Sequence, residues 1–316
     1  MWNLVMSIIP LSLAYTAPLL IIALGGLYSE RSGVVNIGLE GMMGIGAFAA
    51  ALFTVSMQGT LGGATIWLAL VVATLAGVAL SFFHAFASVS LNADQVISGT
   101  AVNMFSAALT VYLARWITGS ANVQIKRFFI KTDVPFLSKI PIIGPLLFGN
   151  AYITTYLVLA IIVLSWFLLY RTRFGLRLRA CGENPHSADS MGINVKNMRY
   201  TGVLISGALA GLGGGIVIMT YAKEFSQLTY NGLGFLALAA LIFGKWKPWG
   251  ILGSSLFFGT AMTVANMSII VPALKNVPNI FLNTFPYVIT LVALVLFSSS
   301  SAGPKASGEP YDVSKR

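Results

Sequence analysis

Charge is what this sequence has least of. Only 9% of its 316 residues are Asp, Glu, Lys or Arg, against 57% hydrophobic, and the mean hydropathy is +0.84. A soluble globular chain carries roughly 25% charged residues, so this chain lacks the charge to clothe a water-facing surface. The single cysteine, Cys181, excludes a disulfide framework and any CxxC metal site. The two histidines, His84 and His186, lie far apart, so no HExxH or histidine cluster exists and no metal site is expected. No GxxxxGK(S/T) phosphate cradle occurs, so ATP hydrolysis on this chain is not expected. No GxSxG elbow or other nucleophile–base pair suggests an intramembrane enzyme. The first charged residue is Glu30, so no basic n-region marks a signal peptide, and the first apolar stretch is expected to be a retained span.

What is present is a succession of apolar stretches, each near the ~20 residues needed to cross a hydrocarbon core. They fall at roughly 4–27, 41–57, 62–88, 95–118, 150–170, 200–222, 232–244, 248–268 and 280–298. The fold class is therefore an all-α polytopic membrane protein with about nine transmembrane helices in one domain, 1–298. The stretch 28–40, with Glu30, Arg31, Asn36 and several Gly or Ser residues, is expected to be broken or re-entrant.

Lys and Arg set the orientation. Loop 171–199 holds Arg171, Arg173, Arg177, Arg179, Lys196 and Arg199 and is placed in the cytoplasm. The N-terminus then falls outside and the C-terminus inside. Of the 19 basic residues, 12 fall inside and 7 at the outer side, four of these in the outer loop 119–149. The net charge of +10 is thus read as a topology signal with some attraction to anionic lipid, not as a nucleic-acid interface. The Pro- and Ile-rich second half of 119–149 should form an extended cap, and 299–316, rich in Ser, Gly, Pro and charge, a disordered cytoplasmic tail.

Polar residues inside such spans are the candidates for function. Gln95, Gly99, Asn103, Ser106 and Thr110 share about an 80° face of the fourth span at 100° per residue. The stripe either lines a solute pathway or bonds neighbouring helices. Asn283 and Tyr287 share a face of the last span, bent at Pro286. Asn36 and Glu40, at i and i+4, are a candidate gate; alternatively Glu40 favours a helix N-terminus or pairs with Arg31. Gly207, Gly211 and Gly215 read as a close helix-packing seam. His84 reads as a hydrogen-bonded packing residue. In 182–192, Asn184 suits an N-cap, Pro185 the first helical position and Gly192 the C-terminal cap. The resulting helix of about two turns is too short to stand alone and needs a brace.

At this loop the sequence becomes familiar. Arg179-Ala-Cys-Gly-Glu-Asn-Pro-His-Ser-Ala-Asp-Ser-Met-Gly-Ile-Asn-Val195 resembles the coupling-helix segment of ABC importer permeases. The match is to the family that serves branched-chain amino acids, ribose and other simple sugars, and nucleosides. Asn36-Ile-Gly-Leu-Glu-Gly-Met42 agrees. Ala93-Asp-Gln-Val-Ile-Ser-Gly-Thr-Ala-Val-Asn103 and Phe235-Leu-Ala-Leu-Ala-Ala-Leu-Ile-Phe-Gly-Lys-Trp-Lys-Pro248 look most like the nucleoside (guanosine-type) branch. The resemblance spans about residues 5–298.

The resemblance implies a non-catalytic permease subunit of an ATP-driven importer in the bacterial cell membrane. It would pair with a second homologous permease and receive a nucleoside from an extracytoplasmic binding protein or lipoprotein. A separate ABC ATPase, carrying the ATP and Mg, would dock on Glu183, Asn184, Pro185, His186, Ser187, Ala188, Asp189 and Gly192. Gln95, Asn103, Ser106, Thr110, Asn283 and Tyr287 would serve the pathway, with Asn36 and Glu40 at a gate or coupling point. The alternatives are a simple-sugar or branched-chain amino-acid permease, or a secondary transporter working alone.

Overall fold

The computed structural model describes residues 2–141, 144–267 and 303–311, with positions 281, 284, 285, 288 and 292. The main helices are α1 (Trp2–Arg31), α2 (Leu39–Met57), α3 (Ala64–Ala85), α4 (Gln95–Thr118), α5 (Ile153–Arg171) and α6 (Arg173–Glu183). They continue with α7 (Pro185–Ser190), α8 (Val195–Val217), α9 (Gln227–Tyr230), α10 (Leu233–Phe243) and α11 (Pro248–Met267). Wider π turns extend α3 to Ser90 and α8 to Ala222. Two strands, β1 (Val123–Gln124) and β2 (Glu224–Phe225), pair antiparallel. Among the described residues, seven helices are long and apolar enough to cross a membrane: α1–α5, α8 and α11. The chain is an all-α multi-pass membrane protein.

The count of nine departs from this at two places. The stretch at 232–244 is the 11-residue α10 preceded by the four residues of α9, a pair broken between Tyr230 and Leu233. The stretch at 280–298 lies largely outside the described residues, as do Asn283, Pro286 and Tyr287.

Burial orders the helices around α1 and α8. Within the protein, 72% of the apolar window of each is buried, against 22% for α4, so α1 and α8 form the centre and α4 lies at the periphery. Without water to compete, membrane helices associate by close packing, which favours small residues. The glycine seam of α8 does this on two sides. A side-chain carbon at Gly207 or Gly211 would overlap the backbone of α3, and one at Gly214 the Met43 carbonyl of α2. Gly215 faces Ala73 and Leu70. Pro10 and Pro18 lie within α1, which nonetheless runs continuously, as neighbouring helices in a bundle permit.

The connector expected to be broken or re-entrant is a compact turn. α1 runs to Arg31, and residues 32–38 lead directly to α2. Gly33 takes φ +96°, the Ser29 hydroxyl donates to Val34 O at 2.7 Å and the Ser32 hydroxyl to Ser29 O at 2.6 Å. This turn shares one pole of the molecule with α6, α7 and the α10–α11 turn. The opposite pole carries β1, β2 and the 119–149 segment, which is sewn to the end of α8: Phe129 N donates to Met219 O at 2.7 Å and Ile125 N to Lys223 O at 3.2 Å.

The expectation of a disordered tail does not hold for 303–311. Ala306 N donates to Gly182 O at 2.9 Å, Gly308 N to Gly33 O at 3.3 Å, and Arg199 Nη1 to Glu309 O at 2.8 Å. Ala306 and Tyr311 are buried. Composition argued for disorder; backbone hydrogen bonds to folded elements, which composition does not report, order the segment.

Candidate functional site

The α4 stripe points at the α1–α2 turn. Gln95 Oε1 accepts from Val35 N at 2.6 Å. Asn103 donates through Nδ2 to Ile37 O at 2.9 Å and accepts through Oδ1 from Gly41 N at 2.7 Å. Ser106 donates to Gly41 O at 2.6 Å, and Thr110 to Ser106 O within its own helix at 2.8 Å. Irregular backbone packed inside a protein leaves amides and carbonyls that must be satisfied there, and Gln95, Asn103 and Ser106 do this for Val35, Ile37 and Gly41. Asn36 sits on the other side of the turn, fully buried, and donates to the Ser206 hydroxyl at 2.9 Å. His84 bridges the same region, with Nε2 3.2 Å from Val35 O and Nδ1 3.0 Å from the Ser98 hydroxyl.

Glu40 lies at the start of α2 but serves another helix. Between α9 and α10 the chain turns at Asn231–Gly232, with Gly232 at φ +86°. The free amides at the start of α10 need an acceptor, and a carboxylate suits the positive end of the helix dipole. Glu40 Oε2 accepts from Gly232 N at 3.0 Å, and the amides of Gly234 and Phe235 are also directed at its carboxylate. Arg31 instead meets Glu183, at 3.4 Å, so the expected alternative of a Glu40–Arg31 pair is not formed.

Beside this helix break lies a cavity of about 420 Å³, lined by Tyr15, Tyr221, Thr229, Asn231, Asn266 and apolar side chains including Leu233, Leu236 and Met262. That volume suits a small molecule. The Tyr15 and Tyr221 rings lie 4.6 Å apart at 50°, presenting aromatic surface, while the amides and hydroxyls offer donors and acceptors. None of Gln95, Asn103, Ser106 or Thr110 lines it. Sequence reasoning missed these residues. The available signal was Asn231-Gly232, a turn-forming pair inside an apolar run.

At the opposite pole α7 forms as its punctuation requires. Asn184 Oδ1 accepts from Ser187 N at 3.0 Å, Pro185 takes the first turn, and Gly192 closes the end at φ +78°. Pro185 and Ala188 face inward, whereas His186, Ser187, Ser190 and Met191 are exposed. Met191, at 81% exposed, is an apolar group left open at the end of α7 and was not singled out from sequence. Cys181 lies beneath it with Ala188, Val195 and Tyr311; burial pushes its thiol up to about 11, which leaves it a packing residue.

Hydrogen bonds tie the end of α1 to the α10–α11 turn. Arg31 donates to the Trp246 carbonyl through Nη2 at 2.9 Å and Nε at 3.3 Å, while the Trp246 indole donates to buried Glu30. Lys245 and Trp246 both take φ +51°, a conformation costing about 1–2 kcal/mol per non-glycine residue, and these bonds hold it. The strained turn ends α10, whose 11 residues reach about 16 Å at ~1.5 Å per residue back to the Glu40 cap and the cavity wall.

Comparison with known proteins agrees with this architecture. The chain is 47% identical over 310 residues to the guanosine ABC transporter permease protein NupQ of Bacillus subtilis (strain 168), covering 98% of this chain and 97% of that one. It is 43% identical over 303 residues to the nucleoside ABC transporter permease protein NupC of Lactococcus lactis subsp. cremoris, covering 96% of each. A second B. subtilis guanosine permease, NupP, is 26% identical over 288 residues, covering 90% of this chain and 78% of that one. With residues 8–297 matching its family model, this chain belongs to the family described as branched-chain amino acid transport system / permease component.

Proposed function

We propose that this chain is a permease subunit of an ATP-driven nucleoside importer in a bacterial cell membrane. The observation that carries the reading is the near full-length likeness to two permeases named for guanosine and nucleosides. The cavity at the α9–α10 break supports it: a nucleoside offers a flat base to Tyr15 and Tyr221 and hydroxyls to Asn231, Thr229 and Asn266. The pairing of NupQ and NupP within one organism supports a second permease as partner. Affinity resides in an extracytoplasmic binding protein, so that the pathway can release its solute.

In this reading the α7 pole is cytoplasmic and the β pole, with the N-terminus of α1, is outside. Arg171, Arg173, Arg177, Arg179 and Lys196 around α6 and α7 support that orientation. A separate ABC ATPase, holding ATP and Mg, docks on the exposed side of α7 through His186, Ser187, Ser190 and Met191, with Glu183, Asn184 and Asp189 beside them. When it closes, Glu183 pulls on Arg31, Arg31 on the Trp246 turn, and α10 tilts against the cavity. The Arg31–Glu183 pair, with Glu183 half exposed, contributes little stability, on the order of 0–1 kcal/mol. Its importance is directional. Asn36, Gln95, Asn103 and Ser106 act by holding the α1–α2 turn, and Glu40 by holding the start of α10.

The test is Asn231→Leu and Tyr221→Ala in the assembled importer. Both should lower the maximal rate of nucleoside uptake about tenfold, with the amount of assembled complex unchanged. An unaltered maximal rate in both variants would remove the cavity from the pathway.

A further inference from the structure

A six-residue helix such as α7 does not persist in water without a brace. Part of the brace comes from Cys181 and Val195 at the ends of α6 and α8, and part from segment 303–311. The Tyr311 ring joins the small apolar cluster under α7 with Cys181, Ala188 and Val195. It lies 5.3 Å from the His186 ring of α7 and beneath the Arg199 guanidinium, 5.9 Å from its centre. Arg199 is itself buried, 1% exposed, and holds the segment through Glu309 O.

The course of the segment matters as much as its end. Gly303 lies against the Trp246 ring. Ala306 is bonded to the end of α6 at Gly182, and Gly308 to the α1–α2 turn at Gly33. A turn closed by Ser307 N to Pro304 O at 3.1 Å, with Gly308 at φ +88°, lets the chain change direction between these anchors. The segment thus touches the α10–α11 turn, α6, the α1–α2 turn, α8 and α7 in succession. These are the elements that any motion entering at α7 must displace. A groove of about 520 Å³ opens between Tyr311 and the residues that end α7 and begin α8: Asp189, Gly192, Ile193, Asn194 and Lys196.

We propose that residues 303–311 are a strap that completes the ATPase-docking surface: it braces α7 from below and, through Tyr311, forms one wall of the groove that receives the ATPase. The inference rests on the reading of α7 as the ATPase dock. The occupant is the ATPase because the groove is continuous with the exposed side of α7 and offers charges of both signs, from Asp189 and Lys196. The strap also explains how so short a helix stays rigid enough to transmit force.

The experiment uses the whole importer with three variants of this chain: deletion of 303–316, Tyr311→Ala and Met191→Glu. Readouts are insertion with the partner permease, ATPase retained on purification, nucleoside uptake, and alkylation of Cys181. Deletion of the strap and Tyr311→Ala should leave insertion intact, speed Cys181 alkylation at least tenfold and reduce retained ATPase and uptake at least tenfold. Tyr311→Phe should restore both. Met191→Glu should release the ATPase while Cys181 stays protected. If Met191→Glu releases the ATPase but the deletion and Tyr311→Ala retain it, the strap is no part of the dock, whether or not Cys181 becomes reactive. If all three variants retain it, the reading of α7 as the dock is itself wrong.

Discussion

Asn103 gives the sharpest test of how the α4 stripe works. Its amide makes two hydrogen bonds to backbone groups of the α1–α2 connection, at 2.9 Å to Ile37 O and 2.7 Å from Gly41 N. Asn103→Leu keeps the approximate volume and removes both partners. An unsatisfied buried backbone group costs about 1–3 kcal/mol, and hydrogen bonds between membrane helices sit toward the low end of such values. The site is half-buried, so we take about 1–2 kcal/mol for each group, or about 2–4 kcal/mol together. That is a large share of a stability of roughly 5–15 kcal/mol. Thermal unfolding of the purified permease pair should show the loss, total uptake should fall by no more than the folded fraction does, and uptake per folded complex should stay unchanged. Asn103→Asp, which keeps the acceptor for Gly41 N, should lose less. Wild-type stability with abolished uptake in Asn103→Leu would refute the assignment and return Asn103 to the solute pathway.

Two further outcomes follow from close packing at opposite ends of the bundle. Gly214→Leu would drive a side chain into the Met43 carbonyl between α8 and α2, so it should abolish recovery of folded permease, read by yield and monodispersity; a well-folded Gly214→Leu protein would show the seam to be looser than described. The Cys181 thiol, pushed up to about 11 by burial, is protonated through the neutral range. Its thiolate should be roughly two hundredfold scarcer at pH 8 than that of an ordinary cysteine of pKa ~8.5. Iodoacetamide labelling of the native protein should be slow at pH 7–8 and accelerate as pH rises toward 11. Complete labelling within minutes at pH 7.5 would place Cys181 at the surface.

The parts of this molecule legible in sequence are those decided locally. Asn184, Pro185 and Gly192 mark the ends of α7 because capping uses neighbouring backbone groups. The seam of Gly207, Gly211 and Gly215 is likewise a property of one helix. The α4 stripe was visible as a stripe, but its partner was not, because residues 35–41 meet it from another part of the chain. Glu40 is the clearest case. Its place at the start of α2 suggested a role there, while its carboxylate caps α10, 192 residues away. The cavity draws on α1, the end of α8, α9, α10 and α11, and only Asn231-Gly232 left a local trace. The strap was illegible for a different reason. Ser, Gly and Pro read as disorder, yet backbone hydrogen bonds and one buried tyrosine suffice to fix a short segment against a folded surface.

The central claim is nucleoside import through this permease, and uptake tests it most directly. In cells lacking this chain, entry of labelled guanosine and uridine should fall to background while ribose and leucine enter at wild-type rates, and the restored chain should return nucleoside entry. Normal guanosine and uridine uptake, with loss confined to ribose or leucine, would contradict the account.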